Sequence, residues 1–203
     1  MKKNKSEFIK YFEQINKSVN ETQKKERFIS FLERVFSENT NIKSLIDKIT
    51  GGAENYLKII KDNKDYGFAD TQYENIIIEF ENNLKKTEEH AKSQLLEYLS
   101  AIYKSEKKIN YRLISTDGIK WIIYYFDSTL VKKDINWNNL DLLKEKEVFV
   151  VNKLNFEDFY FFLSKYLFQN VEKNPTLNNF IDDFGIKSNL FANCFFELND
   201  VYS

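Results

Sequence analysis

The stretch Glu74-Asn75-Ile76-Ile77-Ile78-Glu79-Phe80-Glu81 decides the fold, because it is the strongest strand pattern in the chain. Successive side chains of a β-strand leave opposite faces of the sheet. Ile76, Ile78 and Phe80 therefore share one face, and Ile77, Glu79 and Glu81 share the other. The pattern predicts a strand with one wholly apolar face and one face that carries two carboxylates.

Helical and strand periodicities alternate around this strand and predict an α/β fold. The turn Thr116-Asp117-Gly118 is typical of a tight connection between two strands, and Asn20 and Ser188 are expected to cap helices. Helices are predicted over 5–37 (two helices), 41–49, 87–104, 156–169, from Pro175 to about Gly185, and from Ser188 to about 199. Further strands are predicted over 56–60, 109–115 and 120–126, and residues 67–70 begin another strand or the approach to it. The chain is expected to be irregular over 128–150, with a short strand at 148–151.

Composition excludes several classes of protein. The 203 residues carry a net charge of -1, which is not the strongly basic balance of a dedicated DNA-binding protein. The single cysteine, Cys194, excludes a disulfide framework, and we expect it to be a buried apolar residue. No apolar run reaches the ~20 residues of a membrane span, and no signal peptide begins the chain, so a cytoplasmic protein is expected.

The acidic residues around the strand suggest a site for a divalent cation. Asp70 ends the segment Gly67-Phe68-Ala69-Asp70, nine residues before the Glu79-x-Glu81 pair. If Asp70 lies on the neighbouring strand, three carboxylates can converge. Hard oxygen ligands of this kind suit Mg²⁺ or Mn²⁺, which could activate a water molecule and stabilise charge on a phosphodiester.

The helix after the strand adds two polar side chains to this candidate site. Gln94 and Tyr98 are four residues apart and therefore lie on one helix face. Gln94 could orient a metal or a phosphate, and Tyr98 could contact a DNA backbone. By periodicity alone, the simpler interpretation is a strand with one solvated face and a helix with an ordinary Gln and Tyr.

Taken together, the segment from Gly67 to Tyr98 resembles the PD-(D/E)xK nuclease superfamily, specifically its RecB-like branch. In that superfamily a strand acid, a Glu-x-Lys on the next strand and a helical Gln-x-x-x-Tyr form the site. The resemblance matches Asp70, Glu79 and the Gln94/Tyr98 pair to these positions. It implies a restriction-endonuclease-like core, a mixed central sheet flanked by helices, with helical additions at both ends.

A longer run is similar to the N-terminal nuclease-like region of type IIG restriction enzyme–methylase fusions. This run extends from Gly67 to Tyr98 and on to Thr116-Asp117-Gly118-x-x-Trp121. It suggests a helical region over 1–50, the nuclease-like core over 51–127, and a mainly helical region over 128–203 that could connect to a methyltransferase domain. We therefore expect the chain to be the N-terminal piece of a larger protein, although a stand-alone protein is the other interpretation.

The chain departs from the superfamily at the lysine position, which holds Glu81. The resemblance implies that Glu81 acts as a metal ligand or base, or that the site is inactive; Lys85, Lys86 or Lys92 could instead supply the amine. An acid from the N-terminal helices often joins such sites, and Glu21 is favoured over Glu26 and Glu33. His90 is expected at the surface or against a partner.

The sequence therefore leaves three functional interpretations open. The first is a Mg²⁺-dependent DNA endonuclease domain of a restriction-modification protein. The second is a catalytically inactive module of the same fold that serves as a structural, DNA-binding or protein-binding domain. The third is an unrelated α/β binding protein whose acidic strand face is merely exposed to solvent. No methyltransferase motif, Gly-rich cofactor loop or P-loop is present in the sequence.

Overall fold

The computed structural model describes residues 2–36, 71–73, 76–109, 111–131, 134–167 and 177–188, together with residues 191, 194, 195 and 198. The predicted helix at 41–49, the predicted strands at 56–60 and 67–70, and Asp70 itself lie outside these residues. The helices are α1 Lys2–Ile15, α2 Glu21–Phe36, α3 Leu84–Glu106, α4 Phe156–Tyr166 and α5 Leu177–Phe184. The strands are β1 Thr71–Tyr73, β2 Ile76–Phe80, β3 Arg112–Thr116, β4 Lys120–Phe126 and β5 Leu143–Val150.

Within the described residues, these strands form one mixed sheet in the order β1-β2-β3-β4-β5. Strands β2 and β3 are parallel and are connected through α3, whereas the other neighbouring pairs are antiparallel. The register places Glu79 beside Ser115 across the parallel pair. The expected α/β class is therefore confirmed, while the division at 50 and 127 stays a prediction.

Helices cover both faces of the sheet and create three layers. One face, here called the aromatic face, packs against α1, α2 and α4 through a core that contains Ile78, Phe80 and Trp121. The other, here called the α3 face, packs against α3 through a core that contains Ile77, Leu95 and Ile122. The alternation of β2 read from the sequence thus separates two different cores.

The turn between β3 and β4 fixes several elements to one another. Gly118 has φ +84°, and a Cβ atom there would lie 2.5 Å from the Ile15 side chain. Tyr11 donates a hydrogen bond from its hydroxyl to the Gly118 carbonyl at 2.6 Å. Asp117 accepts hydrogen bonds from the backbone N–H groups of Ile119, Lys120 and Leu84, the last at the start of α3. The sequence prediction of a turn role for Asp117 is confirmed.

Two helix caps expected from the sequence are also present. Asn20 Oδ1 accepts a hydrogen bond from the Gln23 N–H at 2.9 Å, which satisfies an amide in the first turn of α2. Ser188 Oγ accepts one from the Phe191 N–H at 3.0 Å. The predicted boundaries of β4 match the structure, and a non-helical backbone at Thr87 marks the predicted start of the regular part of α3.

Two expectations are wrong. Strand β5 begins at Leu143, well before the short strand expected at 148–151, because pairing with β4 stabilises the charged Lys144–Glu147 run as a half-exposed strand. Cys194 is exposed instead of buried. Its neighbour Phe195 packs against the α3-face core, so the cysteine points away from it.

In the described parts of the chain, no helix combines the length and the apolar character that a membrane crossing requires.

Candidate active site

The candidate site lies at the carboxyl ends of the parallel strands β2 and β3, on the α3 face. Glu79, in β2, and Glu81, directly after it, follow the alternation of the strand and leave the sheet on the side of Ile77. Each is only 4% exposed. In open α/β sheets, this edge is where ligands commonly bind.

The backbone holds the second carboxylate firmly at the end of the strand. The Glu81 N–H donates to the Thr116 carbonyl at 2.8 Å, which extends the β2–β3 pairing by one residue. The next residue, Asn82, accepts a hydrogen bond through its carbonyl from Lys24 Nζ at 2.6 Å. Lys24 belongs to α2 and is itself buried, so α2 and β3 together fix the segment that carries Glu81.

Helix α3 runs back along β2 and brings polar groups toward the carboxylates. His90 Nδ1 lies 3.0 Å from Glu81 Oε1. Gln94 lies one helical turn after His90, a rise of about 6 Å along α3. Glu79 lies two residues before Glu81, a distance of about 6.6 Å along β2, so the two spacings are similar. The buried Gln94 Oε1 has no hydrogen-bond partner among the described residues. An unsatisfied buried acceptor costs free energy and is available to a ligand.

Tyr98, the second residue of the helical pair, lies in the core. It is 4% exposed and packs within the α3-face cluster with Leu95 and Leu99. A contact between Tyr98 and a DNA backbone would need an accessible ring or hydroxyl, which this burial does not favour. A supporting role for Tyr98 beneath the site stays a prediction.

A network of polar side chains on β3, β4 and α3 lies beside β2. Ser115, the register partner of Glu79, is fully buried, and its Oγ lies 2.9 Å from the Tyr124 hydroxyl. Burial, more than the nearby carboxylates of Glu88 and Glu145, holds the pKa of Tyr124 well above its usual value. The phenol is therefore neutral at physiological pH and can act as a hydrogen-bond donor.

Two lysines border this network. Lys120 Nζ donates to Glu88 Oε2 at 2.9 Å, and Lys92 Nζ lies 4.0 Å from Glu88 Oε1. Lys92 also lies over the Tyr124 ring, 5.4 Å from its centroid. Lys92 therefore lies beside Glu88 and Tyr124, whereas Lys85 and Lys86 are exposed in the first turn of α3, and the role of any of these lysines stays a prediction.

Sequence reasoning missed Ser115, Lys120 and Glu88, because only the register of the sheet and the packing of α3 bring them to this edge. The position of His90 beside Glu81 was also missed. One sequence signal could have indicated this contact. A helix that follows a strand after a short connection runs back along it, so residues about ten positions apart become neighbours.

The predicted acids are placed as follows. Glu79 and Glu81 share one face, as expected, and Asp70 lies outside the described residues. Glu21 is in the first turn of α2, one turn before Lys24, while α2 packs on the aromatic face. Participation of Glu21 and Asp70 stays a prediction.

The donor groups at this edge are oxygen-rich and in character suit Mg²⁺ or Mn²⁺ rather than a softer metal. Within the described ranges, no group of three or more His, Cys, Asp or Glu side chains is close enough to hold a metal ion. A Mg²⁺ site needs only one or two protein carboxylates, because this ion keeps several of its waters. Comparison of the chain with models of protein families, with curated proteins and with solved structures gives no match.

Proposed function

We propose that this chain is a metal-dependent DNA endonuclease module of a restriction-modification system. The observation that carries the proposal is the pair of buried carboxylates, Glu79 and Glu81, on one strand face at the carboxyl ends of two parallel strands. Ligands commonly bind at this edge of an α/β sheet. Two carboxylates that one strand presents together there are suited to a hard cation, which supports a functional role.

Glu79 and Asp70 are the residues proposed to hold Mg²⁺ or Mn²⁺, and the resemblance of Gly67–Tyr98 to nuclease motifs supports this choice. A bound ion would supply Lewis-acid stabilisation of the phosphodiester. Gln94 would orient a ligand through its buried amide oxygen, and Tyr98 would support α3 from beneath. The near-zero net charge suggests that sequence-specific DNA contacts come from an adjoining domain or subunit, such as a methyltransferase.

A plasmid-nicking assay with Mn²⁺ or Mg²⁺ tests this proposal. Glu79→Gln keeps the size of the side chain but removes its charge, and we expect nicking to fall by at least ~100-fold, because a metal ligand is lost. Glu89→Gln is the matched control: Glu89 is exposed on α3 and lies outside the proposed site. Nicking by Glu79→Gln at the wild-type rate would rule out this site.

A catalytically inactive module of the same fold is the second candidate. The observation that favours it is that Glu81, which stands where the superfamily has lysine, is engaged by His90. This candidate predicts no cleavage and no Mn²⁺ binding by titration calorimetry. Mn²⁺ binding that is lost in Asp70→Asn would count against it.

A further inference from the structure

The contact between Glu81 and His90 joins a buried acceptor to an exposed ring. The Glu81 side chain is 5% exposed, whereas that of His90 is 66% exposed. The 3.0 Å separation joins Glu81 Oε1 to Nδ1 of the imidazole. Because Nδ1 faces the buried carboxylate and the side chain is largely exposed, Nε2 is the ring nitrogen that remains for a second partner.

The chemistry of the two groups fixes which nitrogen carries the proton. When Glu81 is the carboxylate anion it can only accept hydrogen bonds, and Nδ1 is then the donor. A neutral His90 in this contact therefore carries its proton on Nδ1 and presents an unprotonated Nε2 to solvent. A carboxylate that holds a histidine in this way sets both its tautomer and its orientation.

We propose that His90, oriented by Glu81, is the general base of the proposed phosphodiester hydrolysis. This inference rests on the proposed function. Nε2 accepts a proton from a water molecule as the water oxygen forms its bond to phosphorus. The bond from phosphorus to the leaving oxygen breaks, and that oxygen departs with the electron pair and takes a proton from solvent. His90 then returns its proton to solvent, so the products are a phosphomonoester and an alcohol.

This assignment gives Glu81 a role at the position where the superfamily has lysine. Glu81 acts through the imidazole as a positioning residue, and the base is supplied one element later, from α3. The site edge supports this arrangement, because the Glu81 backbone is held by Thr116 and the following carbonyl by Lys24. The Glu81 carboxylate is therefore held in place and can orient the imidazole ring of His90.

A kinetic comparison of His90→Asn with the wild type tests the proposal. The asparagine amide can still donate to Glu81, as Nδ1 does, but it has no counterpart of Nε2. With Mn²⁺ present, we expect kcat for plasmid nicking to fall by at least ~100-fold with little change in KM, since general-base contributions are typically of this size. The neighbouring Glu89→Gln should nick at the wild-type rate. Wild-type kcat in His90→Asn would overturn the role of His90 and leave the proposed function standing.

The tautomer can be read separately, because His90 is the sole histidine. ¹⁵N NMR of the imidazole should show the proton on Nδ1 in the wild type. In Glu81→Gln, the side-chain amide can donate to Nδ1, so the proton should shift at least partly to Nε2. Protonation on Nε2 in neutral wild-type protein would overturn the inference, whatever the activity. Absence of nicking by the wild type with either metal would overturn the proposed function together with this role.

Discussion

The two faces of the sheet, built from alternate residues of the same strands, differ in kind. The aromatic face is built from rings that pack on one another: Phe28 lies 4.9 Å from Trp121 and 5.9 Å from Phe80, measured between ring centroids. The α3 face has a mainly aliphatic core that gives way to Glu79, Ser115 and Glu81 at the carboxyl ends of β2 and β3. The difference indicates that the aromatic face contributes more to the free energy of unfolding, whereas the buried polar groups of the α3 face lower its contribution.

The largest expected effect on the free energy of unfolding comes from a substitution in the core of the aromatic face. Phe28→Ala should lower the free energy of unfolding by about 3–5 kcal/mol, because Phe28 is fully buried and contacts rings from α1, β2 and β4. Urea unfolding measures the change. Phe161→Ala, on an exposed position of α4, should change it by less than about 0.5 kcal/mol. A loss below about 1 kcal/mol for Phe28→Ala would contradict the stabilising role of this face.

A smaller loss is expected at a polar contact on the aromatic face. Tyr11→Phe removes the hydroxyl that donates to the Gly118 carbonyl and leaves that carbonyl unsatisfied, which should cost about 1–3 kcal/mol near pH 7. Urea unfolding again measures it, with the partly exposed Tyr160→Phe as the control. An unchanged stability would show that this bond does not hold α1 to the β3–β4 turn.

The same residue predicts how stability depends on pH. Burial, with a smaller contribution from the charge of Asp117, raises the pKa of Tyr11 well above its usual value. Above pH ~10 the unfolded chain releases this proton while the folded chain keeps it, so folding stability falls as pH rises. The stability difference between wild type and Tyr11→Phe should therefore narrow above pH ~10. If the stability difference between wild type and Tyr11→Phe stayed constant above pH ~10, the raised pKa of Tyr11 would be contradicted.

The smallest expected effect has the opposite sign and lies on the α3 face. Gln94→Met replaces a buried amide oxygen, which has no hydrogen-bond partner among the described residues, with an apolar side chain of similar length. We expect a gain of about 1 kcal/mol in the free energy of unfolding, together with a loss of nicking, as is common at functional sites. Gln14→Met on α1 is the control. If Gln94→Met instead lowered the free energy of unfolding, the buried Gln94 oxygen would not destabilise the α3 face.

The sequence predicted the local features of the fold better than its contacts. The alternation of Ile76–Glu81 specified which side chains share a face, and Asn20, Ser188 and the Asp117-Gly118 turn were identified by their chemistry. Strand β5 was largely missed, since its Lys-Glu run is a strand only because β4 pairs with it. Tyr98 and Cys194 show the same limit, because helical spacing does not say which neighbouring residues cover a side chain.

By itself, the sequence determined that two carboxylates leave one face of a single strand, because side-chain alternation is a local property of an extended backbone. Only the tertiary structure decided what surrounds them. The parallel pairing with β3 placed Ser115 beside Glu79, and the return of α3 placed His90 beside Glu81. These neighbours are separated by up to tens of residues along the chain, so their approach depends on packing between elements and leaves no periodic signal in the sequence.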